Sequence, residues 1–148
     1  MYELELKKSE MILKRYNISS FPIQLWELEQ FIIDRGYDII VSKEINISST
    51  LGHTVYIPVT RDPYSRVFLS HELGHILCHC FNTYKKCDLN ISKCERQANA
   101  FAAYLLMPYG VFEKDIQYLD KWNLSEKYGV PVEQVQKRYR LCEGTQYH

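Results

Sequence analysis

The chain of 148 residues carries 18 basic and 18 acidic side chains, so its formal net charge is zero, and 46% of its positions are apolar. Those proportions are ordinary for a globular domain and exclude, as the main state, a disordered chain, a collagen-like fibre or a solenoid. Balanced charge also removes the case for a protein held on nucleic acid or anionic membrane by its overall field.

The start, Met1-Tyr2-Glu3-Leu4-Glu5-Leu6-Lys7-Lys8, lacks the basic-then-apolar layout of a signal peptide. No apolar run approaches the roughly 18–20 residues that span a bilayer. Five cysteines, Cys78, Cys80, Cys87, Cys94 and Cys142, are an odd number. Without an export signal they read as reduced thiols. The expectation is a cytoplasmic protein without a membrane partner, folded as a single domain over residues 1–148.

Residues 2–16 predict a first amphipathic helix, with Leu4, Met11, Ile12 and Tyr16 as its apolar positions. Ser19-Ser20-Phe21-Pro22 offers a cap-like pair and a first-turn proline for a second helix reaching about Arg35. Ile23, Trp26 and Phe31 are its candidate core residues, and Gly36 its stop. Tyr37–Val41 and Thr54–Val59 are β-branched and aromatic and read as strands. Ser42–Gly52 joins them as a loop or a further strand. Asp62-Pro63 opens a helix through about Cys80. A loop over Asn82–Ile91 precedes a helix from about Ser92 to just before Pro108. Further helices follow Tyr109-Gly110, split near Gly129-Val130-Pro131. The order of elements predicts an α+β fold.

The chemistry concentrates in His71-Glu72-Leu73-Gly74-His75. Helical positions four apart differ by about 40° in direction and about 6 Å along the axis, so both imidazoles can face one ion. Glu72 then stands beside them as a base for a metal-activated water. Gly74 disfavours its own helix by about 1 kcal/mol relative to alanine, which points to close approach by another segment.

A catalytic zinc needs a third protein ligand, and Glu95 is the best candidate. The 19 residues after His75 suffice to end one helix and bring a second alongside. Asn99, one turn beyond Glu95, can accept a hydrogen bond from a ligand histidine and fix its tautomer. Ala98, Ala102 and Ala103 permit close packing of the two helices. Glu95 has a competing structural role: Ser92-Lys93-Cys94-Glu95 has the spacing of a capping box.

Residues 71–79, His-Glu-Leu-Gly-His-Ile-Leu-Cys-His, followed by Glu95-Arg96-Gln97-Ala98-Asn99-Ala100-Phe101-Ala102-Ala103 and Leu105-Leu106-Met107-Pro108, resemble the ImmA/IrrE metallopeptidases. The resemblance covers Arg66 to Pro108 well. It implies a zincin-like fold with a small antiparallel sheet packed against helices. It also implies zinc held by His71, His75 and Glu95, with Glu72 as catalytic base. Cys78 stands where the family ordinarily has an aliphatic residue. The family further implies a regulatory endopeptidase, encoded in a phage or mobile element, that cleaves a helix-turn-helix repressor.

Other candidates carry ordinary readings beside the functional ones. His79 lies about 80° further round the helix than His71, as a hydrogen-bond partner of the site, an alternative ligand, or a partly buried ring with one satisfied nitrogen. His53, Tyr56 and Tyr104 are candidates for an oxyanion donor, a role that only three-dimensional placement decides. The cysteine spacings lack the paired gaps of a second zinc site. Residues 124–135 have a helix-turn-helix outline, and Lys121–Arg140 carries a local charge of +3. The favoured reading makes the C-terminal helices at 120–141 part of the peptidase domain, with no direct nucleic-acid binding. Two functional alternatives stand beside the zinc peptidase. One is a non-catalytic, zinc-containing interaction module; the other is a DNA-binding regulator using the C-terminal helices.

Overall fold

A computed structural model describes residues 2–78 and 89–146, the side chains of residues 89–90 and 144–146 excepted. Helix α1 (Glu3–Arg15) has Glu3 and Glu5 in its first turn and Lys14 and Arg15 in its last, the arrangement its dipole favours. Ile12 is its buried apolar anchor.

Helix α2 (Leu25–Ile33) starts later than the serine pair suggests. The carbonyl of Ile23, which a helix opening at Pro22 would offer to the Glu27 N–H, instead accepts from Arg66 Nε at 2.7 Å. Gln24 becomes the cap, and its own N–H donates to Glu27 in a capping box. Leu28, Phe31 and Ile32 form the buried face at i, i+3 and i+4, which leaves Trp26 outside it, 67% exposed. Gly36 takes φ +89° and ends the segment as expected.

Strands β1 (Asp38–Ser42), β2 (Ser49–Leu51) and β3 (Thr54–Pro58) form one sheet in the order β1-β3-β2. It is mixed, not antiparallel as the family resemblance implied. The chain leaves β1, runs down the far edge as β2, and turns back through Gly52 to place β3 in the middle. Hence β1 and β3 run parallel while β2 and β3 run antiparallel. β3, paired on both sides, has no free edge; β2 is an edge strand.

Helices α3 (Asp62–Cys78) and α4 (Leu89–Leu106) pack closely. The expected approach at Gly74 is present: a Cβ there would lie 3.1 Å from Ala98 Cα and from Ala98 O. α4 is already helical at Leu89, so Ser92 is inside the helix and the capping-box reading of Glu95 fails. The expected extension of α3 to Cys80 and most of the loop at 82–91 lie outside the described residues.

Short helix α5 (Val111–Asp115), α6 (Lys121–Tyr128) and α7 (Val132–Gln146) complete the order. Asp120 caps α6 and Gly129, at φ +62°, ends it. Arg138 on α7 is fully buried between the rings of Tyr104 and Phe112, 4.9 and 4.6 Å from their centroids. Its Nε donates to the Met107 carbonyl at 2.8 Å, and its Nη2 pairs with the Glu113 carboxylate at 2.7 Å. The apolar core, with Phe31, Val55, Leu73, Phe101, Leu105 and Phe112 among its members, lies where α2, the sheet, α3 and α4 meet. Among the described residues, no helix is long and apolar enough to cross a membrane.

Candidate active site

The two histidines of α3 converge as the four-residue spacing requires. Their Nε2 atoms stand 3.1 Å apart, with ring planes at 84°. Glu95, from α4, meets both at once: Oε2 lies 2.9 Å from His71 Nε2 and Oε1 2.8 Å from His75 Nε2. His75 is buried, His71 partly so, and the Glu95 side chain is about half exposed at 48%, so one side of the cluster is open to solvent.

The close approach at Gly74 is what brings Glu95 within reach. Gly74 lies between the two histidines on α3, and Ala98 lies three residues beyond Glu95 on α4. With only hydrogen and methyl between the backbones, a glutamate side chain is long enough to reach both rings.

The donor set suits a borderline divalent cation. Bonds of about 2.0–2.1 Å in a tetrahedral site place ligand atoms about 3.3 Å apart. The observed separations of 2.8 to 3.1 Å fall within a few tenths of an ångström of that spacing. If both Nε2 atoms carry protons for Glu95, the two N–H groups face each other at 3.1 Å, and a cation shared by the three side chains removes that conflict.

Glu72 is treated differently. An oxygen of its carboxylate lies within 4.8 Å of the ligand nitrogens of both histidines, close enough to count as a metal-binding group with them. Both of its oxygens, however, are held elsewhere. Ser48 Oγ donates to Oε2 and Thr50 Oγ1 to Oε1, each at 2.7 Å. The sheet register explains this cradle. Thr50 pairs with the buried Val55 and shares its face, and Ser48, just before β2, reaches the same carboxylate. Glu72 is 3% exposed, so these two bonds offset the desolvation of a carboxylate that has left water.

Of the other candidates, Asn99 lies one turn beyond Glu95 and is exposed. His79 is outside the described residues. Tyr56 pairs with Ser49 and so faces away from the Thr50–Glu72 side of the sheet. His53 is exposed in the β2–β3 turn, its ring against Tyr37. Tyr104 is nine residues from Glu95, half a turn round α4, and lies against Arg138. Sequence reasoning missed Ser48 and Thr50. Their alternation is a strand signal, but the segment is three residues long and polar, too weak to read as a strand by itself.

An HxxxH helix with a facing carboxylate and a buried glutamate, on a small mixed sheet backed by helices, makes a group that could hold a metal ion. Residues 22–140 match the IrrE N-terminal-like domain, Peptidase_M78, and the chain belongs to that family. A Mycobacterium tuberculosis transcriptional regulator of known structure has a similar fold, with a TM-score of 0.72 at 15% sequence identity. The match takes in 91% of this chain and 45% of that one, so the chain spans less than half the length of that relative. Among curated proteins none matches it.

Proposed function

We propose that the chain is a zinc-dependent endopeptidase domain, with His71, His75 and Glu95 as ligands and Glu72 as the base. The observation that carries this reading is the bridging of both histidine Nε2 atoms by Glu95, with Glu72 beside them but bound to other partners. When bound, zinc supplies a Lewis acid that polarises a carbonyl and lowers the pKa of water toward about 7.

The chain's own residues supply the proton chemistry and the substrate path. Glu72 accepts the proton of the attacking water on a carboxylate oxygen and then delivers it to the nitrogen of the leaving amine. Its burial keeps bulk water from competing for that proton. An extended peptide adds to the free edge of β2, the edge strand whose Thr50 holds Glu72. The substrate class follows from the family resemblance: a helix-turn-helix repressor, whose cleavage releases genes in a phage or other mobile element.

Zinc content and cleavage of a candidate repressor test this directly, in protein purified without a histidine tag. Wild type is expected to bind one zinc, Glu95→Ala to lose it, and Glu72→Gln to keep the zinc while losing cleavage. Retention of zinc by Glu95→Ala, or full activity in Glu72→Gln, overturns the assignment of that residue.

A further inference from the structure

Glu72 occupies an ambiguous position. With an oxygen within 4.8 Å of the ligand nitrogens of His71 and His75, it is close enough to join their metal. Ligand atoms that share a tetrahedral zinc stand about 3.3 Å apart. A shift of no more than about 1.5 Å would therefore make Glu72 a ligand, within reach of a change in its side-chain torsions. Such a shift would fill the position that a hydrolytic site must leave open for water.

Two hydroxyls oppose that shift. Ser48 and Thr50 each give one hydrogen bond to a different oxygen of the carboxylate, so a rotation toward the histidines breaks both. The two donors sit two residues apart, Thr50 within β2 and Ser48 just before its first residue, a backbone separation of up to about 6.6–6.8 Å. Donors that far apart grip a carboxylate from two directions and fix its plane as well as its position. Hydrogen bonds to a charged group are among the stronger ones, and breaking two together opposes the gain from one further metal bond.

We propose that Ser48 and Thr50 are positioning residues whose task is to keep Glu72 off the metal, so that it stays a base and does not become a fourth protein ligand. This rests on the zinc reading of the site given above. It places the division between ligand and base in the sheet, because β2 also offers the edge along which a peptide would bind. A peptide pairing with β2 would thus seat itself on the strand that aims the base.

The test is zinc affinity, measured by competition with a chromogenic chelator and with Zn2+ alone as the probe, so that no substrate is needed. In Ser48→Ala/Thr50→Val, Glu72 is released onto the metal, and affinity is expected to rise by about tenfold, the scale on which one group at a metal site changes binding. The rise should vanish when Glu72→Gln is added to the pair. It should also be absent in Ser48→Thr/Thr50→Ser, which keeps both hydroxyls. Loss of packing alone would weaken the site, so the sign of the change separates the two causes. Affinity equal to or weaker than wild type in Ser48→Ala/Thr50→Val overturns the proposal while leaving the zinc site intact. A wild-type protein that binds no zinc overturns the site itself. Should the double variant not fold, Ser48→Ala alone is read by the same criterion.

Discussion

Gly74→Ala places one methyl group at the narrowest point between the two helices of the site. The new Cβ would stand 3.1 Å from Ala98 Cα, Ala98 O and Phe101 Cδ1. Non-bonded carbon atoms are at their best at about 3.5–4.0 Å, so α3 and α4 must separate by a few tenths of an ångström. Two of the three opposing atoms are backbone, which cannot swing aside as a side chain can. Overpacking of this kind costs about 1–3 kcal/mol, while alanine regains about 1 kcal/mol of helix propensity. The net expectation is a loss of about 1 kcal/mol, which for a chain of this size lowers Tm by roughly 2–4 °C. The displacement falls between the histidines on one side and Glu95 on the other, so zinc affinity should drop by about tenfold. Thermal unfolding of the metal-free protein and chelator competition measure the two effects separately. A variant stabilised by the full propensity gain, with unchanged zinc affinity, would refute the claim that this contact sets the distance between the ligand helices.

Burial, followed by the charge of Glu5 and partly offset by Lys8, pushes the Cys78 thiol up to about 11. At pH 8 it should react with iodoacetamide on the order of a hundredfold more slowly than an ordinary cysteine, as read by peptide mapping, and labelling at the ordinary rate would contradict that environment. Burial works to raise the Asp115 carboxyl, but hydrogen bonds from Lys127 and Tyr128 hold it below its ordinary value. A lowered folded-state pKa gives stability that is fully present above the unfolded value and is lost as pH falls through the folded one; Asp115→Asn should therefore cost about 1 kcal/mol at pH 7 and flatten the loss of stability below about pH 4 in denaturant titrations. Glu113→Ala leaves the Arg138 guanidinium buried without its carboxylate and should destabilise the fold by about 3 kcal/mol; a midpoint within experimental error of wild type would show that the pair does not hold α7.

The helices were legible where local chemistry decides them. Gly36 and Gly129 mark helix ends because a left-handed residue is needed there, and Gly74 announces a close contact because nothing local rewards it. His71, Glu72 and His75 are readable because their spacing is set by one helix. Glu95 was readable only as a competition between a cap and a ligand. The cap role is removed because the chain is already helical at Leu89, which residues 92–95 alone do not reveal. The helix start at Gln24 was hidden for a similar reason, since the carbonyl that stops an earlier start is claimed by Arg66, 43 residues away. The sheet was the least legible part. Two strands are visible from composition, but their parallel pairing depends on a third strand of three residues that slips to the far edge. With that strand went the two hydroxyls that hold Glu72.

In the C-terminal helices, packing redistributes the local charge. Lys121, Lys127, Lys137, Arg138 and Arg140 outnumber Glu126 and Glu133 by three, which by itself suits a phosphate backbone. In the fold, Lys127 is paired with Asp115 and Arg138 is buried against Glu113. An excess of one positive charge among these residues stands outside the two ion pairs. Arg138 instead fastens α7 to the Met107 carbonyl, just past the end of α4. Glu95 lies near the other end of that same helix. Through that bond α7 braces α4, the helix that carries Glu95.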